Sequence, residues 1–243
     1  MEIIIVGATG YIGSTVLEQC LSHPEITKIH ILTRRPLSND QTSSAGRDKI
    51  SITLKTNWLE YDDSLLHQLK EARACIWCIG GRHTQNTRWA TPEEYLQVTV
   101  DYTVAATRCF VRMMSLTGCQ AGDAAFRFVY CSGDSSELVY NRSLWIMGPT
   151  RRAKGCAEKN IFDIADSSHG AVESITVRPC GVFPKRHTLW TWFLTTMVLP
   201  TLAVEELAAS MVELALRGSR TGRIVRHKDA EKLGREVMGR SIE

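Results

Sequence analysis

Three glycines near the start of the chain have the spacing of a phosphate-binding loop. Gly7, Gly10 and Gly13 follow directly on a run of isoleucine and valine. In such a loop the first glycine allows a sharp turn, the second a close approach to pyrophosphate, and the third tight packing of the next helix. That helix would direct its free N–H groups and positive dipole end at the phosphates. We therefore predict a nucleotide site formed by Gly7, Thr9, Gly10, Tyr11, Ile12 and Gly13.

Two arginines, Arg34 and Arg35, stand at the end of the second predicted strand, residues 28–33. NAD-selective folds place an acidic residue at this strand end to bind the ribose hydroxyls, whereas guanidinium groups bind a 2′-phosphate. The arginine pair therefore predicts NADP(H) as the cofactor. The alternative is that both arginines simply begin an exposed loop.

Further candidates follow strands whose carboxyl ends would meet at one edge of a parallel sheet. The third predicted strand is followed by an amide that would reach the adenine, and the fourth by two glycines that permit close approach of the nicotinamide side. Ser132 ends the fifth, where its hydroxyl would hold a substrate carbonyl. The residues assigned to the cofactor at these strand ends and after the sixth strand are Asn57, Gly80, Gly81, Pro179 and Val182.

The elements that position these residues alternate between strand and helix. After the first apolar run, the pattern predicts strands at 28–33, 50–54, 74–79, 126–131 and 174–177. Helices are predicted from Tyr11, over 64–71, from Thr91 to about Ser115, around Lys154 and over 204–216. This alternation predicts an α/β fold, a Rossmann-type doubly wound parallel sheet. We assign residues 1–182 to the nucleotide-binding part and 183–243 to a C-terminal region of the same domain that covers the substrate.

Two irregular segments are candidates for the substrate side of the cleft. Residues 82–90 lack periodicity and would line the pocket or form a plain surface loop. Residues 189–199 are too apolar for an exposed loop, so we expect them to cover the cleft, an oligomer contact or both. Homodimer formation is therefore one expectation.

Composition excludes several functional classes. With 44% hydrophobic and 23% charged residues, the 243-residue chain has the composition of a globular protein, and its net charge of +3 does not favour nucleic acid binding. It lacks a run of eighteen apolar residues, so we expect no membrane span. Eight dispersed cysteines predict reduced thiols and a cytoplasmic protein. Cys75 and Cys78 have a Cys-x-x-Cys spacing, which we interpret as two core residues rather than as a redox or zinc site.

These motifs together resemble the atypical short-chain dehydrogenase/reductase family. The resemblance is carried by the glycine loop, Arg34-Arg35, Ser132-Gly133, Lys154-Gly155 with Glu158, and Arg178-Pro179. Within the family the chain looks most like the NmrA-like and Tat-interacting-protein-like branch, which includes oxidoreductase-like members of fungal secondary metabolism. The resemblance covers about residues 2–216.

The resemblance implies a serine and a Tyr-x-x-x-Lys pair as the catalytic groups. Ser132 and Lys154 match the serine that orients the carbonyl and the lysine that holds the nicotinamide ribose. The tyrosine position, however, is occupied by Thr150, and a threonine hydroxyl is a far weaker acid than a phenol. Tyr140, upstream in the loop, and Tyr130 are the phenols that we consider as substitutes.

The sequence therefore predicts an NADP(H)-dependent reductase acting on a small apolar or aromatic carbonyl, with Ser132, Lys154 and Tyr140 as catalytic residues. The threonine keeps a second hypothesis open, a non-redox isomerase, cyclase or dehydratase. A third is a cofactor-sensing protein that binds a partner through the apolar segment at 190–199.

Overall fold

The structure, a computed structural model, describes residues 1–37, 46–81, 91–117, 124–134, 136, 148–183 and 200–240. Its strands are β1 (Glu2–Val6), β2 (Lys28–Thr33), β3 (Ile50–Leu54), β4 (Ala72–Trp77), β5 (Phe126–Cys131), β6 (Val172–Arg178), β7 (Gly181–Phe183), β8 (Thr201–Ala203) and β9 (Ile224–Arg226). Seven of them form one parallel sheet in the order β3-β2-β1-β4-β5-β6-β9, and β7 and β8 pair separately. The predicted α/β Rossmann-type sheet is confirmed.

Helices connect the strands and cover both faces of the sheet. They are α1 (Tyr11–Ser22), α2 (Asp63–Leu69), α3 (Pro92–Leu96), α4 (Tyr102–Leu116), α5 (Gly148–Asp166), α6 (Val204–Arg217) and α7 (His227–Arg240). A π-helical turn, Gln97–Asp101, joins α3 to α4, and a short 3-10 turn, Arg47–Lys49, precedes β3.

Two hydrophobic clusters hold the layers together. Along β1, Ile3 and Ile5 point into a cluster with α1 and α6, while Ile4 and Val6 point into a second cluster with α2, α4 and α5. All four side chains are fully buried. This is the alternation expected of a strand that is covered on both faces, and it explains why β1 is an unbroken apolar run.

The strand order places a topological switch point between β1 and β4. From β1 the chain proceeds outward to β2 and β3, then returns to add β4, β5 and β6 on the other side. In open α/β sheets the ligand cleft lies at this switch, beyond the carboxyl ends of the strands. The glycine loop after β1 and the glycine pair after β4 therefore lie on its two sides.

Some boundaries differ from the predicted ones. The fourth strand begins and ends two residues earlier than expected, at Ala72 and Trp77. The predicted helix over 91–115 contains the π-helical turn, whose extra residue rotates the buried face toward Thr103, Ala106 and Phe110. The strands β7, β8 and β9 and helix α7 were not predicted from periodicity. The predicted pocket segment 82–90, the apolar segment 189–199 and Tyr140 lie outside the described residues.

The Cys-x-x-Cys pair is divided between the two cores. Cys75 belongs to the cluster with α2, α4 and α5, whereas Cys78 packs against the cluster on the opposite face of the sheet. Burial raises the pKa of both thiols well above the ordinary value. Over the described ranges, no group of three or more His, Cys, Asp or Glu side chains is arranged to hold a metal ion. In the same part of the chain, no helix has the length and apolar character needed to cross a membrane.

Candidate active site

The glycine loop turns back across the end of β4. Gly7 has φ +89°, in the left-handed region, and a Cβ on it would lie 2.8 Å from the carbonyl carbon of Cys78. A Cβ on Gly13 would lie only 2.1 Å from the carbonyl oxygen of Gly7. The turn at Gly7 and the close packing of the helix at Gly13 therefore both require glycine.

The N-terminus of α1 is suited to a diphosphate. Gly10 is its cap residue, the Gly10 N–H donates to the Gly7 carbonyl at 2.9 Å, and no described side chain caps this end. The first turn of α1 contains no acidic residue. Free N–H groups and the dipole favour an anion here, so the loop fits the pyrophosphate of a dinucleotide. Thr9 and Tyr11 are exposed beside it, and Ile12 is half-buried.

The arginine pair is presented by a tight turn at the end of β2. The Thr33 hydroxyl donates to the carbonyl of Arg35 at 2.8 Å and accepts from the Arg35 N–H at 3.3 Å. Both arginines are exposed. The turn fixes the backbone and leaves the guanidinium groups in solvent, next to the strand end where an adenosine ribose would lie.

Asn57 is engaged in its own turn. Its side-chain oxygen accepts from the Leu59 N–H at 3.0 Å, and its amide donates to the Glu60 carboxylate at 3.0 Å. The amide nitrogen has two hydrogens, so an adenine contact does not require loss of the bond to Glu60.

Lys154 reaches from α5 to the end of β5. Its ammonium donates to the carbonyl oxygen of Ser132 at 2.7 Å, and its side chain covers Gly133. This bond holds the ammonium at the end of β5. The lysine therefore lies at the strand edge where the family resemblance implies a nicotinamide ribose.

Below the lysine, a buried network ties α5 to β6. Arg178 donates from Nε to both carboxylate oxygens of Glu158 at 3.1 Å and adds a second guanidinium contact. Glu158 is fully buried and Arg178 is 7% exposed. The Ser132 hydroxyl also donates to Glu158 and lies 2.8 Å from the Ser136 hydroxyl. Since a serine hydroxyl has one proton, the hydrogen bond to Glu158 leaves Ser132 only as an acceptor toward other groups.

Thr150, at the position of the family tyrosine, contacts a tyrosine from another element. The phenol of Tyr95 on α3 forms a side-chain hydrogen bond with Thr150 and donates to the Gly81 carbonyl at 3.4 Å. Tyr95 is fully buried and Thr150 is 5% exposed. Burial raises the pKa of Tyr95, and side-chain hydrogen bonds with Thr150 and Thr99 act in the opposite direction.

Tyr130 lies within the sheet core. It is 1% exposed, and its hydroxyl has no hydrogen-bond partner among the described residues. Burial, with a smaller contribution from the Glu158 charge, raises its pKa well above the ordinary value.

The residues after β6 complete the edge. The carbonyl of Pro179 accepts from the Asp134 N–H at 2.9 Å, which joins the ends of β5 and β6. Val182 lies in β7 and pairs with Leu202. Cys180 lies between these two residues. Burial is the main cause that raises the pKa of its thiol to about 11, and a hydrogen bond with Asp134 adds to it.

The structure thus brings together the glycine loop, Gly81, Ser132, Lys154 and Pro179 along one sheet edge. Sequence reasoning missed the contact of the Tyr95 phenol with the Gly81 carbonyl at this edge. It named Glu158 and Arg178 only as parts of the family motifs and did not predict that they pair. Glu158 is four residues after Lys154 on one helix, and Arg178 ends a buried strand, so a buried pair was detectable from these positions.

Residues 3–142 match the family described as "NAD dependent epimerase/dehydratase family". A curated relative, "Leucinostatins biosynthesis cluster protein T" of Purpureocillium lilacinum, is 29% identical over 164 residues, covering 68% of this chain and 52% of the relative. The chain therefore spans about half the length of this relative.

Solved structures with the same architecture include two cofactor complexes. Yeast methylglyoxal/isovaleraldehyde reductase Gre2 with NADPH has a TM-score of 0.65 at 14% identity, covering 93% of this chain and 77% of Gre2. DesIV, a dTDP-glucose 4,6-dehydratase from Streptomyces venezuelae with NAD and TYD bound, has a TM-score of 0.67 at 15% identity, covering 98% and 80%. These similarities show the shared fold. Because the family match extends over more than half of the sequence, the chain belongs to the NAD dependent epimerase/dehydratase family.

Proposed function

We propose that the protein is an NADP(H)-dependent reductase of a small apolar or aromatic carbonyl compound. The observation that carries the proposal is the position of Lys154, whose ammonium lies at the end of β5 on the same sheet edge as the glycine loop. The exposed arginine pair after β2 favours NADP(H) over NAD(H). Similarity to a fungal biosynthesis-cluster protein supports a substrate from secondary metabolism. The resemblance of the sequence motifs to the NmrA-like branch is part of the same proposal.

Each group of residues has a task in this proposal. The N–H groups at the start of α1 bind the pyrophosphate, Arg34 and Arg35 bind the 2′-phosphate, and Lys154 holds the nicotinamide ribose. When bound, the reduced nicotinamide supplies a hydride. To polarise a substrate carbonyl as predicted, the Ser132 hydroxyl would have to break its hydrogen bond to Glu158 and donate to the carbonyl instead. We therefore assign Ser132 to positioning, since its carbonyl holds Lys154 and its hydroxyl holds Glu158.

Cofactor choice is tested by calorimetric titration with NADPH, NADP⁺, NADH and NAD⁺. The Arg34→Ala/Arg35→Ala variant is expected to bind NADPH about 10–150-fold more weakly, because charge-assisted hydrogen bonds to a phosphate contribute about 1.5–3 kcal/mol. Its NADH affinity should be unchanged. A matched control is Arg73→Ala, an exposed arginine on β4. Equal losses for NADPH and NADH would contradict the 2′-phosphate assignment, and absence of nucleotide binding by the wild type would reject the site.

The role of Lys154 is tested in the same way. Lys154→Ala is expected to reduce affinity for NADPH and NADH alike, by about 10–150-fold, because the ribose contact is common to both cofactors. Turnover should fall as well. Lys159→Ala, an exposed lysine on the same helix, is the control. Undiminished affinity and turnover in Lys154→Ala would reject the proposed function.

A second candidate is a non-redox reaction, such as dehydration, isomerisation or cyclisation, in the same cleft. It is favoured by Thr150 at the tyrosine position, because an aliphatic hydroxyl is a far weaker acid than the phenol that it replaces. Product formation without any change in nicotinamide absorbance would place this candidate first.

A further inference from the structure

The turn that follows β6 is held by hydrogen bonds from three directions. On one side, the carbonyl of Pro179 accepts an N–H from the segment after β5 at 2.9 Å. On the other side, the N–H of Gly181 donates to the carbonyl of Pro200, just before β8, at 3.2 Å. Between these two bonds, the N–H of Cys180 donates to Nδ1 of His227 at 3.2 Å. This last bond is made by a side chain, so a substitution can remove it.

His227 is fixed in place by the strand before it and the helix after it. It follows β9, in which Arg226 pairs with Arg178 of β6, and it is the first residue of α7. Helix α7 packs closely on α6, because a Cβ on Gly234 would lie 2.1 Å from the carbonyl oxygen of Glu206. His227 is 6% exposed. A buried imidazole that is anchored on both sides can hold the turn in one position.

The bond from Cys180 also specifies the state of the imidazole. Because Nδ1 accepts a hydrogen bond, it carries no proton, and the proton of the neutral ring is on Nε2. A protonated ring would have an N–H group on each nitrogen and could not accept. His227 therefore contacts the turn as a neutral acceptor.

This turn lies on the nicotinamide side of the cleft. Pro179 and Val182, which lie on either side of Cys180, are both assigned to the cofactor. The lysine assigned to the nicotinamide ribose, Lys154, is bound at the end of β5, the strand next to β6. The arginine pair assigned to the 2′-phosphate follows β2, which is separated from β6 by β1, β4 and β5. A change in the turn should therefore affect one half of the dinucleotide.

We propose that His227 is a positioning residue for the nicotinamide half of the cofactor. By accepting the Cys180 N–H, it holds the turn in the conformation that the bound nicotinamide needs, so that binding does not have to order the turn. This inference rests on the proposed function and deepens it, since it names a residue outside the cofactor motifs. The adenosine half is bound by other residues, at the ends of β1 and β2, and does not depend on His227.

Two probes separate the halves of the cofactor in calorimetric titrations. NADPH contains both halves, whereas adenosine 2′,5′-bisphosphate has the adenine and the 2′-phosphate without the nicotinamide. His227→Leu removes the acceptor and is expected to weaken NADPH binding about 10-fold, because the Cys180 N–H loses its partner and the turn must be ordered on binding. Affinity for adenosine 2′,5′-bisphosphate should be unchanged. A role in stability alone would change both affinities equally or neither of them.

An isosteric pair of variants tests the position of the acceptor. His227→Asn places a carboxamide oxygen near the position of Nδ1, whereas His227→Gln places its carboxamide near the position of Nε2. The asparagine variant should bind NADPH as the wild type does, and the glutamine variant should be as weak as His227→Leu. Both replacements are polar amides, so a general loss of stability does not produce this difference. Thermal unfolding of both variants checks that they are folded.

The matched control is His30→Leu, which removes another buried histidine. His30 is 4% exposed, and its Nε2 lies 2.8 Å from the carboxylate of Glu2, the first residue of β1. This pair is near the amino ends of the strands, away from the cleft. The variant should have a lower melting temperature than wild type and an unchanged NADPH affinity.

The outcomes separate the role of His227 from the proposed function. Wild-type protein that binds neither probe rejects the cofactor site and the proposed function with it. If the wild type binds both probes, and His227→Leu and His227→Gln bind NADPH equally well, the positioning role is overturned and the cofactor site stands. Equal losses for the two probes, or a His227→Asn variant as weak as His227→Gln, also overturn the positioning role.

Discussion

Replacement of Gly13 by alanine is expected to weaken NADPH binding by about 10²–10⁴-fold. The added Cβ would lie 2.1 Å from the Gly7 oxygen and 2.7 Å from its carbonyl carbon, and neither backbone atom can rotate away. The start of α1 must therefore move from the loop. Two charge-assisted hydrogen bonds to pyrophosphate, about 1.5–3 kcal/mol each, would be lost with that movement. Calorimetric titration measures the effect.

The matched control for this prediction is Gly239→Ala. Gly239 is also a helix glycine, but a Cβ on it would meet nothing within 4 Å. Alanine there should leave NADPH affinity unchanged and stabilise α7 slightly, by about 0.5–1 kcal/mol. If Gly13→Ala bound NADPH within a few-fold of wild type, the glycine loop would not be the pyrophosphate site. Circular dichroism of both variants shows whether the sheet is still folded.

Local sequence patterns predicted the bounds of three strands and the start of one helix. The second, third and fifth strands have the predicted bounds, because each is an apolar or alternating run closed by turn residues. The helix start at Thr91 was likewise predictable, since its hydroxyl accepts from the Glu94 N–H at 3.1 Å. These strands and this helix start could therefore be predicted from the sequence.

The remaining features depend on contacts between distant residues. Strand β9 has three residues and gains its identity only by pairing with β6, so no periodicity reveals it. The π-helical turn inserts one residue into a regular pattern and rotates the face of α4. Tyr95 meets Thr150 because the π-helical turn that follows α3 packs against α5, although the residues are far apart in sequence. A candidate site assembled across helices in this way cannot be obtained from spacing alone.

Replacement of Glu158 by alanine is expected to destabilise the protein by about 3–5 kcal/mol. It would leave the guanidinium of Arg178, which is 7% exposed, without its carboxylate, and the Ser132 hydroxyl without its acceptor. A charge that stays buried and unpaired is far more costly than the loss of an exposed pair. Urea-induced unfolding measures the difference in free energy.

The neighbouring Lys159→Ala variant is the control. Lys159 is exposed and pairs with Asp163 on the helix surface at 3.5 Å, so its loss should cost at most about 0.5 kcal/mol. A cost below about 1 kcal/mol for Glu158→Ala would contradict the buried network, because removal of one partner of a buried pair costs several times more.

The double variant Glu158→Leu/Arg178→Met separates stability from positioning. Removal of both charges should restore most of the lost stability, since two apolar side chains need no desolvation to be buried. It does not restore the acceptor of the Ser132 hydroxyl. If the network also positions the site, the stable double variant should still turn over more slowly than wild type, because the Ser132 hydroxyl has lost its carboxylate partner. If turnover recovers together with stability, Glu158 serves the fold alone, and the bond from Lys154 to the Ser132 carbonyl does not depend on it.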